Sequence, residues 1–420
     1  MYEGKIIKFY REKAKLTQAQ LGEGICSVTH ISKIERGLTE YSPEITILLS
    51  KRLKVNIEKE LANLKTLKKK LDDWHEVIIS QNMIAASRIN KELENNHLLQ
   101  ISEHVSYYKL LRTKYNLKQG NNNEALKLIE QIQSSHNNLS DYETNLFKHI
   151  LGLYYMSIEE HNKSIDTFNE IDYKNYSDPS FYYDLGVAYH NVHSPVLAYY
   201  YAEKALNYFK KTNHFLRIID TENLMLIQVE FDQHRDFDNT IEQYENLIKL
   251  CDLCNAPEKK AKVLHNFAYE HLRRKKYHIA GGLYKESMEL KDKKSTLYLL
   301  SLEGYIRSGV KGKFLTQEAL LGLVKDGLSI ATENGETLYT VILTLHQFSI
   351  LQEEENYYHY LTENVLPYFK SHGYTMIAQR YDRDLFNYYV RTGKTEKALE
   401  IADIIINTDD VLEDQVHFEK

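Results

Sequence analysis

The chain is poor in cysteine, in proline and in long apolar stretches. Its 420 residues include three cysteines and five prolines, and no run approaches the eighteen or so apolar residues needed to cross a bilayer. Cys26, Cys251 and Cys254 are too few for a disulfide framework and suit a reducing interior. The scarcity of proline argues against a stiff linker between separate domains. Pro43, Pro179, Pro195 and Pro257 follow Ser, Asp or Ala and precede apolar-periodic runs, the first-turn position where proline fits a helix. The N-terminus is charged and leads straight into a capped helix, so no signal peptide is expected and the protein is expected in the cytoplasm, with no membrane partner.

Signatures of catalysis are missing as well. Cys251-Asp-Leu-Cys254 is a lone Cys-x-x-Cys without the second ligand pair that a structural zinc site needs, and it lies late in a predicted helix rather than at a redox strand-to-helix junction. Gly304 and Gly309 have the spacing of a phosphate loop, but Val310 stands where its lysine belongs. Eighteen histidines are scattered with no His-Glu-x-x-His among them. No metal, cofactor or enzymatic activity is expected.

What is present begins near residue 16. Thr17 followed three residues later by Gln20 is a capping-box start, predicting a helix from Gln18 to about Glu23. Gly22 and Gly24 break it, and Ser27 is placed to cap a second helix that turns Ile31 and Ile34 inward and ends at Gly37. This is the pattern of a helix-turn-helix. A helix before it, Tyr2 to Ala14, carries Ile6, Ile7 and Tyr10 on its buried side; another opens at Ser42-Pro43; a last one, Val55 to Leu64, closes a five-helix domain over residues 1–62.

Each helical residue advances about 100° around the axis. With Ile31 and Ile34 buried, Thr29, Ser32, Lys33 and Arg36 face outward and Val28 and His30 lie on the flanks. The N-terminal end of such a helix reaches base edges, whereas its far end and the start of the preceding helix meet phosphates. Val28, Thr29 and Lys33 are therefore the candidates for bases, and Gln18 and Arg36 for the backbone of double-stranded DNA. Residues 1–59 hold 11 Lys or Arg against 7 Asp or Glu, a charge of +4 that leaves −10 on the rest of a chain whose net charge is −6. The basic end suits a polyanion.

Residues 63–100 read as a connecting helical hairpin, with a lysine-rich run at Lys65 to Leu71 that is more simply a solvated helix face than a DNA contact. From residue 101 to 420, helical runs alternate with short polar breaks such as Gly120 to Asn123, Asn191 to Ser194, Gly309 to Lys313 and Gly393 to Thr395. Tyr182, Leu185, Gly186, Tyr189, Ala198 and Ala205 fit the tetratricopeptide pattern, and Gly152 precedes Gly186 by the expected 34 residues. The predicted fold class is all-α, a helix-turn-helix of the Xre/Cro kind followed by a tetratricopeptide-repeat superhelix whose concave wall suits an extended peptide. The apolar stretch Ala398 to Ile406 has no polar cap, which points to a homodimer, and a two-fold dimer implies a near-palindromic DNA site.

The combination of Gly24-Ile-Cys-Ser-Val-Thr-His-Ile-Ser-Lys-Ile-Glu35 with a repeat array to the C-terminus resembles the peptide-pheromone-responsive regulators of Gram-positive quorum sensing, the superfamily of Rap, Rgg, NprR, PlcR and PrgX proteins, and is most like NprR and PlcR. The resemblance implies a transcriptional regulator whose DNA binding or oligomeric state is set by an imported signalling peptide, held along its main chain by asparagines on inner helices. Asn223, in Thr-Glu-Asn-Leu, and Asn266, in Val-Leu-His-Asn-Phe-Ala, match those positions locally; helix-surface asparagine is the plain alternative. Two other classes stay open. One is a Rap-like or bifunctional protein that also binds a response regulator and promotes its dephosphorylation, with Gln81 as the candidate for orienting the attacking water. The other is a phage arbitrium-type peptide receptor.

Overall fold

The computed structural model describes residues 2–39, 42–134, 139–229, 236–372 and 374–414, and among these every regular element is helical. The chain divides into two compact units, Met1–His234 and Arg235–Lys420.

The first unit opens with α1 (Tyr2–Lys13), α2 (Gln18–Gly22), α3 (Val28–Glu35) and α4 (Pro43–Leu53). Ile6, Ile7, Leu21, Ile31, Ile34 and Leu49 are fully buried among them. Then comes α5 (Ile57–Ile79), which does not stop near Leu64 as the sequence suggests. Ile57, Leu64, Leu67, Leu71, Trp74 and Ile78 are all buried at steps of three, four or seven, and neither glycine nor proline interrupts the run. The apolar stripe therefore continues from the N-terminal helices into the repeats, and residue 62 falls inside one helix. The lysine run lies on its solvent side, where Lys68 pairs with Asp72 at 2.5 Å and Lys70 with Glu92 at 2.6 Å.

After α6 (Met83–Glu94) and a 3-10 turn, His97–Ile101, the repeats follow as α7 (Val105–Lys118) with α8 (Asn122–Gln133), α9 (Asp141–Ser157) with α10 (His161–Asn169), and α11 (Ser180–Asn191) with α12 (Pro195–Lys211), before α13 (Phe215–Gln228). Gly186 shows why the repeat needs a glycine at the hairpin crossing. A Cβ there would lie 3.1 Å from the Ala198 carbonyl oxygen and 3.2 Å from the Ala202 nitrogen, so α11 and α12 touch backbone to backbone.

The second unit holds α14 (Phe237–Leu253), α15 (Pro257–Arg273), α16 (Tyr277–Glu289), α17 (Thr296–Gly312), α18 (Gln317–Asn334), α19 (Thr337–Leu351), α20 (Glu354–Tyr360), α21 (Leu366–Ser371), α22 (Thr375–Arg391) and α23 (Thr395–Asp414). The break expected at Gly309 is displaced: α17 runs on to Gly312, and Lys313, in the left-handed conformation at φ 52°, ends it. Between α20 and α21 a π segment, Leu361–Val365, lets the Leu366 N–H reach the Leu361 carbonyl. Pro367, which has no N–H to give to an α-helical ladder, follows at once.

Candidate nucleic-acid interface

The helix-turn-helix is built as its sequence predicts. Thr17 Oγ1 accepts from the Gln20 N–H at 3.1 Å while Gln20 Oε1 accepts from the Thr17 N–H at 2.8 Å, closing the capping box at the start of α2. Gly24 takes the turn at φ 68°, and Ser27 Oγ caps α3 by accepting from the His30 N–H at 3.2 Å. Ile31 and Ile34 point inward. Val28, Thr29, Lys33 and Arg36 are exposed along the outer face, with Val28 at the first position of α3. Gly37 lies just beyond the helix in the left-handed conformation at φ 70°.

Gln18 is placed differently. Its side-chain amide donates to Glu35 Oε2 at 2.9 Å, and the same buried carboxylate takes Arg11 Nε at 2.5 Å and Arg11 Nη2 at 3.0 Å. One acid thus ties α1, α2 and α3 together, and the Gln18 side chain serves that joint instead of standing free for a phosphate. Sequence reasoning also missed two supports of the α2–α3 pair. Arg52, on α4, donates to the Leu21 carbonyl at 3.0 Å and to that of Glu23, satisfying acceptors that the end of α2 leaves open. Gly4 lets α1 cross the end of α3, because a Cβ at residue 4 would lie 2.1 Å from the Ile34 carbonyl oxygen. A glycine inside a helix costs about 1 kcal/mol against alanine, and that cost was the available signal of a close contact.

Contacts with residues past α5 hold these helices to the repeats. Tyr2 donates to Glu103 at 2.5 Å, Tyr10 bonds His97, and the Phe9 and His97 rings stack at 5.6 Å. Deeper, the far end of α5 enters a buried ionic cluster. His75 Nε2 lies 3.0 Å from Asp178 Oδ2 and its Nδ1 is 3.2 Å from the Tyr107 hydroxyl. Lys114 Nζ donates to Asp178 at 2.5 Å and to Ser180 Oγ at 3.0 Å. Next to them His149 bonds Tyr176 at 2.8 Å and Asp184 at 3.1 Å. Burial, and then the Lys114 charge, push both imidazoles below their ordinary range. Burial by itself raises Asp178, but Lys114 and His75 outweigh it and hold the carboxyl well below the usual carboxylate range. The cluster joins α5, α7, α9 and α11 with the segment that precedes α11, and it carries no counterpart in the sequence patterns.

Comparison with known proteins agrees with this architecture. Residues 7–59 match the helix-turn-helix family model. The chain is 25% identical over 399 residues, covering 90% of this chain and 96% of the relative, to the transcriptional activator NprA of Geobacillus stearothermophilus. The apo form of the quorum sensor NprR from B. thuringiensis superposes with a TM-score of 0.67 at 19% identity, over 82% of this chain and 99% of that one. A Rap protein complexed with competence and sporulation factor gives 0.69 at 16% identity, over 84% and 99%. The family model covers the N-terminal helices alone, and the likeness to the solved structures is one of fold.

Asn223 sits half-buried on α13 of the first unit and Asn266 half-buried on α15 of the second. Gln81 lies just past the end of α5 in the left-handed conformation at φ 61°, and its amide donates to Asp220 Oδ2 on α13 at 2.9 Å. It therefore works as a helix stop and as a brace between two helices. Cys251 is buried and Cys254 half-buried, both as free thiols, and among the described residues no cluster of metal-ligating side chains occurs. No described helix is long and apolar enough to cross a membrane.

Proposed function

We propose that the protein regulates transcription by binding a near-palindromic DNA site as a homodimer through residues 1–62, under the control of a short signalling peptide held by the repeats of residues 101–420, with 63–100 as the connecting hairpin. The observation that carries this reading is α5, one uninterrupted helix that begins beside the reading face and ends in the buried cluster of the repeats. A helix with no joint transmits a change in repeat packing to the DNA-binding helices as a rigid displacement. Val28, Thr29 and Lys33 read base edges, Arg36 meets phosphate, and Gln18 acts through the N-terminus of α2 and through Glu35. NprR has been solved in complex with its cognate peptide NprX, at a TM-score of 0.65 to this chain, which supports a peptide as the ligand. Asn223 and Asn266 would each offer a donor and an acceptor to its main chain. Leu399 at 66% exposure and Ile406 at 61% on α23 support a partner chain at the C-terminal face.

Selection of bound duplexes from a random pool, followed by footprinting, is expected to return half-sites about one helical turn, 34–36 Å, apart, and sedimentation to give a dimer. A likeness in fold to aspartyl phosphate phosphatase F from Bacillus subtilis, at a TM-score of 0.50 and 16% identity over 84% of this chain, supports a second reading, action on a response regulator. Failure to retain any duplex above background, together with accelerated dephosphorylation of a phosphorylated receiver domain, would put that reading in place of the first.

A further inference from the structure

The second unit contains a cavity of about 520 Å³ between α17, α19 and α22. Arg307 and Lys311 enter it from α17, Arg380 and Arg383 from α22, and His346 from α19. Against these four basic side chains stand two carboxylates. Glu303, one turn before Arg307, lies 3.6 Å from its Nε and 3.1 Å from His346 Nε2. Asp384, in the cavity wall, accepts from the Tyr357 hydroxyl at 3.2 Å. The Arg307 Nε is buried and makes no hydrogen bond. Among the described residues, Lys311, Arg380 and Arg383 have no ion pair. Burial lowers the Lys311 ammonium below its ordinary range, and Arg307 and Arg380 add to it against the opposing pull of Asp384 and Glu303. Residues 235–420 carry 24 Lys or Arg against 29 Asp or Glu, so this concentration of positive charge sits in a mildly acidic part of the chain.

We propose that this cavity binds a carboxylate of an extended peptide, so that the repeats select peptides by an anionic group as well as by main-chain contacts. The proposal rests on the peptide-sensing reading above and adds the chemistry of one subsite. Planar guanidinium groups that converge on one space match a carboxylate in two-point fashion. Two features favour a peptide over a free inorganic anion. A second cavity of about 460 Å³ shares Ser349, Tyr357 and Asp384 with the first and is flanked by Phe348 and Tyr358, giving room and aromatic surface for the residues next to the charged group. On the other side, the Arg307 guanidinium lies 5.8 Å from the centre of the Tyr269 ring, and Tyr269 is three residues beyond Asn266 on α15. Residues three apart share a helix face, so the face that carries Asn266 leads to the cationic cavity. A polyanion such as nucleic acid is disfavoured, because outside this cavity the second unit carries more carboxylates than cations and offers no continuous positive field.

The probe is a synthetic mixed heptapeptide library made in four forms: free C-terminal acid or C-terminal amide, each with or without Asp and Glu among its residues. Each form is equilibrated with the immobilised full chain, and retained peptides are read by mass spectrometry. Peptides bearing at least one carboxylate are expected to be retained roughly tenfold or more over the amidated form that lacks Asp and Glu. Comparison of the other three forms tells a terminal carboxylate from a side-chain one. The double variant Lys311→Gln/Arg380→Gln, both exposed positions, is expected to bring that ratio close to one with its melting temperature unchanged. Asn266→Ala is expected to lower retention of all four forms alike. Equal retention of all forms by the unaltered protein overturns the carboxylate subsite and leaves peptide sensing standing. A carboxylate preference that survives the double variant also overturns it, since the selectivity then resides elsewhere. Retention of no peptide in any form refutes peptide sensing and the subsite together.

Discussion

Replacing Lys114 with methionine tests whether the buried cluster at the end of α5 is the joint between the DNA-binding helices and the repeats. Lys114 Nζ is wholly buried, 2.5 Å from an Asp178 oxygen that His75 also approaches to 3.0 Å. Methionine keeps most of the volume and removes the charge, leaving Asp178 with His75, Tyr176 and the two donors of Ser180. Removing one member of a buried ion pair costs about 3–5 kcal/mol because the other charge is left uncompensated. The loss should depend on pH. In the native protein both His75 and His149 are held below their unfolded value, so native stability falls as pH drops below about 6.5, by up to about 1.4 kcal/mol per pH unit for each proton taken up on unfolding. Without Lys114, His75 loses a depressing charge and keeps Asp178 as a partner, so it protonates more readily in the folded state and restores the missing cation. The gap between variant and native protein should be largest near pH 8 and narrow toward pH 6.

Trp74 reports the transition directly, as the single tryptophan, one residue before His75, with its Nε1–H donating to the Ala86 carbonyl at 3.0 Å and its ring stacked on Tyr108. With a loss of about 4 kcal/mol and a urea dependence of about 3 kcal/mol per M, the fluorescence midpoint at pH 8 should fall by roughly 1.3 M. A shift below about 0.3 M, or one of equal size at pH 6 and pH 8, would refute the electrostatic account and make Lys114 an ordinary packed side chain.

Lys33→Ala should relax base choice at one symmetric pair of positions, at about 1–3 kcal/mol per half-site contact, whereas Arg36→Ala should weaken all duplexes alike; equal losses on selected and random DNA for both would show the helix faces to be misassigned. Gly4→Ala should destabilise the N-terminal helices by about 1–3 kcal/mol despite the better helix propensity of alanine, because its methyl group meets the Ile34 carbonyl. A thermal melt in which alanine stabilises that domain would show that α1 shifts freely off α3. Asn266→Ala should reduce affinity for a retained peptide by roughly ten- to a hundredfold while ligand-free DNA affinity stays constant, as calorimetry beside a gel-shift assay would read; unchanged calorimetric affinity would return Asn266 to the helix-surface reading.

Local chemistry made much of this protein legible in its sequence. The Thr17 and Gln20 capping box, the Ser27 cap, the turn at Gly24 and the inward Ile31 and Ile34 depend on residues a few positions apart, so the helix-turn-helix and the outward placement of Val28, Thr29, Lys33 and Arg36 could be read directly. The 34-residue step from Gly152 to Gly186 likewise announced stacked hairpins, since a repeat buries its apolar face only against its neighbour. Tertiary structure decided what depends on distant partners. Gln18 turned out to hold Glu35 because Arg11, from another helix, shares that carboxylate. Gln81 braces Asp220, 139 residues away. Lys114, His75 and Asp178 meet from three separate segments, and Arg307, Lys311, Arg380 and Arg383 converge from two helices to make one cationic cavity. In each case the sequence supplies polar or charged side chains of ordinary spacing, and only their packing brings like charges or buried partners close enough for electrostatics and hydrogen bonding to give them a role.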